Sequence, residues 1–321
     1  VKILISLFFN FLKFKMRKMR STKLNKHQSE YKGSIEKSKE ELGRRPDWLK
    51  VRLPSGENYQ AVVDLMRRSS LNTVCEEARC PNLAECWNNK TATFMILGDT
   101  CTRSCGFCNV KLGIPNELDL DEPRRVAESI IDLGLKHVVI TSVNRDELKD
   151  GGASIFSETI RLINEKMPDT TVETLIPDFK GSEESFNIIM QHPPHILNHN
   201  LETVGRLYHA VRPQADYQRS LDLIRWFKDK GLRTKSGIMV GIGETKDEVI
   251  GIMRDLHDHG CDIMTIGQYL QPTKDHLPVD RFVTPEEFLM YREKGIEMGF
   301  MAVESAPLVR SSYHADKHAH L

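Results

Sequence analysis

The chain has 321 residues, of which 40% are hydrophobic and 28% are charged, a composition typical of a globular enzyme with a sizeable core. Its 45 basic and 45 acidic side chains balance, so the total charge gives no support for a nucleic-acid partner. The cysteines number seven, and six of them lie in residues 75–108, which argues against a secreted disulfide framework and favours a reducing compartment.

The first 45 residues are basic and polar, and we predict that residues 1–45 form a leader or flexible arm. No acidic residue precedes Glu30. The apolar run in residues 1–15 is too short and too often interrupted to span a bilayer, and no small-residue cleavage site follows it. A basic segment that lacks acids is compatible with a mitochondrial transit peptide. The sequence therefore favours a cytoplasmic protein, with a mitochondrial location as the alternative.

Globular sequence begins at Pro46, and we predict an N-terminal extension over residues 46–91. Residues 57–72 predict a short helix. This helix leads into a first cysteine triplet with the spacing C-x4-C-x5-C, formed by Cys75, Cys80 and Cys86. Thiolates are soft ligands, so the triplet indicates an iron–sulfur or zinc site.

Residues 92–305 alternate short apolar runs with helical patterns. The predicted strands are 92–97, 137–141, 171–176, 195–198, 236–240, 262–266 and 299–303. Between them, apolar residues recur at helical spacing, as at Val126, Ile130 and Leu133. Such alternation indicates a parallel sheet with right-handed crossovers. We predict an α/β fold, a partial (β/α)6-type TIM-like barrel followed by a C-terminal tail at 306–321, with a doubly wound open sheet as the alternative.

Short motifs mark the expected ends of the helices. Residues 245–248 (TKDE) and 284–287 (TPEE) each match a capping box, and the second carries proline at the first helical position. Gly134, Gly231 and Gly260 stand where helices should end.

A second cysteine triplet follows the first predicted strand. Cys101, Cys105 and Cys108 have the spacing C-x3-C-x2-C. A four-iron cluster bound by three thiolates keeps one iron open to another ligand, whereas simple electron carriers usually supply four cysteines. A zinc knuckle would need a fourth cysteine or histidine, and this loop contains none. In a β/α barrel the loop would open onto the C-terminal face, where active sites lie.

With Phe107 directly before its third cysteine, the second triplet resembles the radical S-adenosylmethionine (SAM) superfamily. The resemblance implies that SAM chelates the open iron through its amino and carboxylate groups. It also implies that electron transfer to the sulfonium releases a 5′-deoxyadenosyl radical.

The first triplet, placed just ahead of this motif, narrows the resemblance to the lipoyl synthase family. The resemblance covers about residues 45–316 and includes 139–152, 172–179, 198–204, 211–221, 237–245, 265–279 and the stretch VRSSYHADK at 309–317. It implies an auxiliary 4Fe–4S cluster on the first triplet, with a serine as its fourth ligand. Ser311 and Ser312 are the candidates, and we favour Ser312, which precedes Tyr313. An alkoxide is a hard ligand for iron, so it should be easily displaced.

The resemblance also implies a reaction, the insertion of two sulfur atoms at C6 and C8 of an octanoyl group on a lysine of a lipoyl carrier protein. Saturated C–H bonds offer no acid–base handle, so a cofactor must supply the radical. Both sulfurs would come from the auxiliary cluster, which is consumed. The implied partners are an octanoylated lipoyl carrier protein or domain, an electron donor such as flavodoxin or ferredoxin, and an iron–sulfur carrier protein, but neither nucleic acid nor membrane.

Polar residues at the predicted strand ends are candidates for binding SAM or orienting the acyl chain. They are Asn144, Arg145, Asp146, Glu173, His199, Asn200 and Glu202. Arg212 and Lys235 are candidates to balance the SAM carboxylate, with a salt-bridged face as the alternative. We expect Gly241 and Gly243 to let the backbone approach the SAM adenosine.

The remaining candidates have simpler interpretations. His314, His318 and His320 are expected in a mobile polar tail. Cys261 is interpreted as a buried free thiol. Three other functions stay open from the residues: a radical SAM enzyme that acts on a small molecule or peptide, a two-cluster electron carrier, and a zinc-stabilised binding domain.

Overall fold

The structure is a computed structural model that describes residues 24–36, 44–50, 57–77, 80–88, 93–319 and 321. The expected leader over residues 1–23 and His320 lie outside these residues. No helix in the described part combines the length and the apolar character needed to cross a bilayer.

The strands of the main sheet agree with the sequence pattern. The described strands are β1 (Asn72–Thr73), β2 (Thr93–Ile96), β3 (Thr100–Cys101), β4 (Lys111–Leu112), β5 (His137–Ser142), β6 (Thr171–Leu175), β7 (Ile196–Asn198), β8 (Arg233–Val240), β9 (Ile263–Gln268) and β10 (Ala302–Ser305). Strands β3 and β4 pair with each other, and the other eight form one sheet in the order β1-β2-β5-β6-β7-β8-β9-β10. Every predicted strand is present. Strand β8 begins three residues earlier than predicted, and β10 begins three residues later.

The order of the strands decides between the two predicted architectures. Neighbouring strands from β2 to β10 pair in parallel, and β1 is an antiparallel edge strand. The order follows the chain without reversal, so the sheet has no switch point of the kind that defines a doubly wound fold. Among the described residues, β1 and β10 do not pair to close the ring. The fold is therefore a partial TIM-like barrel, and the doubly wound alternative is wrong.

Helices connect the strands and cover the outside of the sheet. They are α1 (Lys26–Glu36), α2 (Glu57–Arg68), α3 (Val74–Glu77), α4 (Leu83–Asn88), α5 (Glu122–Leu133), α6 (Ala153–Lys166), α7 (Glu183–Ile189), α8 (Tyr208–Val211), α9 (Tyr217–Asp229), α10 (Lys246–Asp258), α11 (Pro285–Met298) and α12 (Ala315–His318). Helix α5 buries Val126 and Ile130, as the helical spacing predicts. It ends at Gly134, whose φ of 64° favours glycine.

One of the two predicted capping boxes forms completely. The Thr245 hydroxyl accepts from the Glu248 N–H, and the Glu248 carboxylate accepts from the Thr245 N–H at 2.8 Å. At α11, Thr284 caps the helix, but the second half of the predicted box is wrong. The Glu287 carboxylate instead lies 2.6 Å from the Arg281 guanidinium, because a charged donor makes a stronger hydrogen bond than a neutral amide.

Helix α1 differs from the flexible arm predicted for residues 1–45. Gln28 is almost fully buried, and its Nε2 donates to the Ser104 carbonyl in the loop of the second triplet at 3.0 Å. The Tyr31 hydroxyl donates to the Ile242 carbonyl at 2.5 Å. Hydrogen bonds from these polar side chains therefore attach the helix to the barrel. The sequence did not predict this packing, because the segment has no apolar periodicity.

The end of the chain also differs from the prediction. Helix α12 packs against β5, and His318 is only 2% exposed, so the expectation of a mobile tail is wrong for this residue. By contrast, Cys261 is a buried thiol as predicted, and its S–H donates to the Ile263 carbonyl at 3.2 Å.

Candidate active site

A tight turn sends the chain from β2 into the loop of the second triplet. Leu97 and Gly98 adopt φ angles of 69° and 88°, and the buried Glu122 carboxylate accepts both of their N–H groups. Arg145 donates to the Leu97 carbonyl at 2.9 Å. Since an L-residue such as Leu97 rarely adopts positive φ, these hydrogen bonds hold a strained turn in place.

The loop that follows β5 binds the start of the cysteine loop. The Thr102 N–H donates to the Asn144 carbonyl at 3.1 Å, and the Asp146 N–H donates to the Thr102 hydroxyl at 3.1 Å. The Asn144 N–H also donates to Cys101 Sγ at 3.3 Å. Amide donors to sulfur stabilise a cluster-bound thiolate and tune its iron, so this contact fits a cluster ligand.

A buried ion-pair network lies beneath the same loop. Arg103 is 5% exposed, and its guanidinium lies 2.7 Å from the Asp146 carboxylate and 2.6 Å from the fully buried Asp178. Arg219 adds a second contact to Asp178 at 3.0 Å. Burial alone would raise the pKa of Asp178, but the hydrogen bond from Arg103 holds that pKa well below its usual range.

The second triplet opens into a cavity of about 670 Å³ at the C-terminal ends of the strands. All three cysteines line it. The predicted contact residues that also line it are Phe107, Asn144, His199, Asn200, Glu202 and Arg212. Burial raises the pKa of the Cys105 thiol to about 11, and Arg212 opposes this shift.

Two polar atoms at this cavity fit the ends of an amino acid. Arg212 Nε and Asn200 Oδ1 are buried and have no hydrogen-bond partner among the described residues. The rest of the Arg212 guanidinium is held by the Asn200 carbonyl at 2.7 Å, so its orientation is fixed. An unpaired donor and an unpaired acceptor complement a carboxylate and an ammonium group, and they fit the methionine part of SAM. His199 fits a structural role better, because its ring nitrogens contact the Ile176 carbonyl and the Ser220 hydroxyl.

Other predicted contact residues do not line this cavity. Arg145 supports the turn after β2, and the Glu173 carboxylate pairs with Lys235 at 3.0 Å where both side chains are fully buried. Lys235 therefore forms a salt bridge, the alternative to the predicted contact with the SAM carboxylate.

The two glycines of the 241–243 turn also do not line the cavity. A Cβ at Gly241 would lie 2.4 Å from the Arg281 carbonyl oxygen. A Cβ at Gly243 would meet the Tyr31 hydroxyl of α1. These glycines admit neighbouring segments of the protein, and their expected approach to SAM adenosine remains a prediction.

The first triplet and Ser312 line a separate cavity of about 790 Å³. Cys75 lies on α3 and Cys86 on α4, and the Cys80 N–H donates to the Cys75 carbonyl at 3.0 Å. Burial raises the pKa of Cys75 to about 11 and that of Cys86 to about 12. Metal binding must therefore displace protons from these thiols.

The C-terminal tail closes one side of this second cavity. Asn82 Nδ2, between two cysteines of the first triplet, donates to the Leu308 carbonyl at 2.7 Å. The Tyr313 hydroxyl donates to the Glu85 carboxylate at 3.3 Å. Ser312 lines the cavity of the first triplet, whereas Ser311 lines the cavity of the second.

The two cavities adjoin inside the barrel. Side chains two residues apart on a strand point to the same face and are separated by about 7 Å along it. On β2, Thr93 lines one cavity and Met95 the other, and on β5 Val139 and Thr141 do the same. Arg310 lines both cavities. The two cysteine sites therefore lie next to each other inside the barrel.

The cysteine triplets supply the soft thiolate ligands that iron–sulfur clusters use. No three cysteine, histidine or acidic side chains among the described residues are placed to bind one metal ion. A zinc site needs its ligands on one ion, whereas a cubane takes one thiolate for each iron. Each cavity is lined by three thiols, which is the thiolate set that the family implies for each of two cubanes.

Sequence reasoning missed several residues that lie beside the candidate site. Arg103 and Asp178 form a buried ion pair beneath the loop of the second triplet, and Arg310 lines both cavities. The position of Arg103 between Cys101 and Cys105 was a usable signal, because a residue two positions from a cysteine of the triplet lies close to the proposed cluster site. Asp178 gave no such signal, since its contact crosses 75 residues of chain.

Comparison with known proteins agrees with this geometry. Residues 95–256 match the radical SAM superfamily, and residues 11–80 match the N-terminal domain of lipoyl synthase of the radical SAM family, which includes much of the predicted leader. The chain is 59% identical over 281 residues to lipoyl synthase from Rubrobacter xylanophilus, covering 86% of this chain and 88% of the relative. It is 53% identical over 277 residues to mitochondrial lipoyl synthase from Nematostella vectensis, covering 86% and 95%.

A solved structure shares the fold at much lower identity. Streptococcus suis SuiB bound to its precursor peptide SuiA superimposes with a TM-score of 0.53 and 13% identity, over 88% of this chain and 62% of that one. The chain thus spans less than two thirds of that protein. Similarity at this level concerns the barrel alone, whereas the relatives above share most of the sequence. On that evidence, the chain belongs to the lipoyl synthase family of the radical SAM superfamily.

Proposed function

We propose that this protein inserts two sulfur atoms at C6 and C8 of an octanoyl group that is attached to a lysine of a lipoyl carrier protein. One observation carries the proposal: two unlike cysteine triplets line two cavities that adjoin inside one barrel. A radical generated in one cavity would act on a carbon held beside a sulfur source in the other. A two-cluster electron carrier would also hold its clusters close together, but it would not need cavities that can admit SAM and an acyl chain.

The cavity of the second triplet would hold a 4Fe–4S cluster and SAM. Cys101, Cys105 and Cys108 would bind three irons and the methionine group of SAM the fourth. Arg212 Nε would donate to the SAM carboxylate, and Asn200 Oδ1 would accept from its ammonium, because each lacks a partner in the described part of the protein. When bound, the cluster supplies the electron that cleaves SAM.

The cavity of the first triplet would hold the auxiliary cluster that supplies sulfur. Cys75, Cys80 and Cys86 provide three thiolates, and the position of Ser312 supports it as the fourth ligand over Ser311. Arg310 lines both cavities, so it would face the acyl chain between them.

The acyl chain would lie along apolar side chains inside the barrel. Met95, Leu175, Ile238 and Met239 line the cavity of the second triplet. Burial of each methylene group contributes about 0.8 kcal/mol, so an octanoyl chain gains substantial affinity from this wall. Excluding water also protects the radical from side reactions.

The proposed partners follow from the reaction. An octanoylated carrier protein or domain supplies the substrate, flavodoxin or ferredoxin the electrons, and an iron–sulfur carrier protein the replacement for the consumed cluster. We place the reaction in the cytoplasm, with the mitochondrion as the alternative, since a bacterial and a mitochondrial lipoyl synthase are each more than half identical to this chain.

Anaerobic turnover tests the proposal. Reconstituted protein, SAM, dithionite and an octanoylated carrier domain should give a lysine adduct that has gained two sulfur atoms by mass spectrometry. A Cys75/Cys80/Cys86→Ala variant should still cleave SAM but give no sulfur-containing product. SAM cleavage without a thiolated carrier in the wild type would indicate a radical SAM enzyme for another substrate, and no SAM cleavage would indicate an electron carrier.

A further inference from the structure

A group of buried polar side chains inside the barrel is not explained by either cysteine site. Lys235 Nζ lies 3.0 Å from Glu173 Oε2, and Asn198 Nδ2 donates to Glu173 Oε1 at 3.0 Å. All three residues are fully buried, and none lines either cavity. Two charges removed from water are costly, so a buried pair of this kind is weak evidence for a purely stabilising role.

The far end of the C-terminal tail completes this group. Lys235 Nζ donates to His318 Nδ1 at 3.2 Å, and Arg233 Nη1 donates to the His318 carbonyl at 3.1 Å. Strand β8, on which Lys235 and Arg233 lie, therefore holds both the side chain and the backbone of His318. Helix α12 also packs on β5, whose first residue lines the cavity of the first triplet.

Ser312 lies between two anchored points of the tail. On its N-terminal side, the Leu308 carbonyl accepts from Asn82 of the first-triplet segment. On its C-terminal side, His318 is fixed inside the barrel. Loss of the second anchor would remove the buried side-chain hydrogen bond that fixes His318, and residues 313–319 would keep only the packing of α12 on β5 and their remaining polar contacts.

We propose that Lys235 and Glu173 are positioning residues for the auxiliary site. Glu173 fixes the Lys235 ammonium, Lys235 holds His318, and His318 keeps the tail in the place where Ser312 reaches the first triplet. The inference rests on the proposed function only in making Ser312 the ligand of the auxiliary cluster. The anchoring itself is a property of the protein without metal.

Two substitutions at His318 separate anchoring from packing. His318→Leu has a similar volume but no acceptor, whereas His318→Asn places Oδ1 where Nδ1 stands and retains the acceptor for Lys235. Hydrogen-exchange mass spectrometry on the metal-free full chain should show exchange in residues 313–319 at least about tenfold faster in His318→Leu and close to wild type in His318→Asn.

Further variants control for charge and folding. Glu173→Gln/Lys235→Met keeps the buried site neutral and removes the donor to His318, so it should loosen the tail as His318→Leu does. Lys230→Met, which removes an ammonium that lies over the Trp226 ring, should leave the tail unchanged. Unfolding transitions of all variants report whether the barrel itself is intact.

The protein with both clusters reconstituted provides a second set of measurements. In His318→Leu, Mössbauer spectra should lose the signal of an oxygen-ligated iron in the auxiliary cluster, SAM cleavage should persist, and the two-sulfur product should fall about tenfold or more. Unchanged tail exchange in His318→Leu would overturn the proposal, and so would a looser tail with an unchanged auxiliary iron signal. Failure of the wild type to make product would refute the proposed function, and the exchange and iron signals would still decide the anchoring.

Discussion

Replacing Arg103 by methionine tests how the loop of the second triplet is held. The Arg103 side chain is 3% exposed, and its guanidinium lies 2.6 Å from the fully buried carboxylate of Asp178. Removing one partner of a buried pair costs about 3–5 kcal/mol, because the remaining charge stays out of water. Arg219 would still contact Asp178, so we expect the lower end, a loss of about 3 kcal/mol in the free energy of unfolding.

Urea unfolding of the metal-free protein measures this loss. Arg219→Met is the matched control, because it removes the less buried cation from the same carboxylate and should cost about 1 kcal/mol. Arg103→Met should also retain less iron on the second triplet than on the first after reconstitution. A loss from Arg103→Met no larger than that from Arg219→Met would refute the view that this buried pair holds the loop.

Three further predictions concern the tail, the histidines and the SAM cavity. Ser312→Ala should abolish the oxygen-ligated iron signal of the auxiliary cluster in Mössbauer spectra and most sulfur insertion, while SAM cleavage continues. Ser311→Ala should change neither the iron signal nor the product. The reverse pattern would make Ser311 the ligand. Burial lowers the pKa of His318 to about 3 and that of His199 to about 4, so below the unfolded value near 6.5 only the unfolded chain takes up these protons. Stability should therefore fall as the pH drops from about 6.5 towards 4, by about 1.4 kcal/mol per pH unit for each uncompensated proton, and urea unfolding of His318→Leu should show a shallower fall than wild type. Gly237→Ala would place a Cβ 2.3 Å from a threonine hydroxyl and 3.0 Å from Asn200 Oδ1, so SAM should bind at least about tenfold more weakly by equilibrium dialysis, and unchanged SAM affinity would exclude this wall from the SAM site.

The sequence predicted the barrel because its strands are short apolar runs and its crossover helices carry regular apolar faces. The sequence also predicted local motifs correctly, such as the capping box at residues 245–248. Helix α1 was missed, since its anchors are a buried glutamine and a tyrosine hydroxyl, and neither gives a periodic signal. The second half of the capping box at Glu287 failed because Arg281, six residues earlier in the chain, competes for the carboxylate.

The candidate site was predicted where ligands are close in sequence and missed where they are far apart. Spacing alone marked the two cysteine triplets. It could not show that Glu173 and Lys235 satisfy each other inside the barrel, because that pairing spans 62 residues and depends on which side of each strand faces inward. The burial of His318 likewise depends on where the tail folds back, which a short polar segment does not reveal.

Iron and sulfide quantitation on anaerobically reconstituted protein tests the central claim most directly. The wild type should contain about eight irons, and Cys75/Cys80/Cys86→Ala and Cys101/Cys105/Cys108→Ala should each contain about four, because each triplet binds its own cubane. Four irons in the wild type, or the loss of all iron when either triplet is removed, would contradict two independent cluster sites.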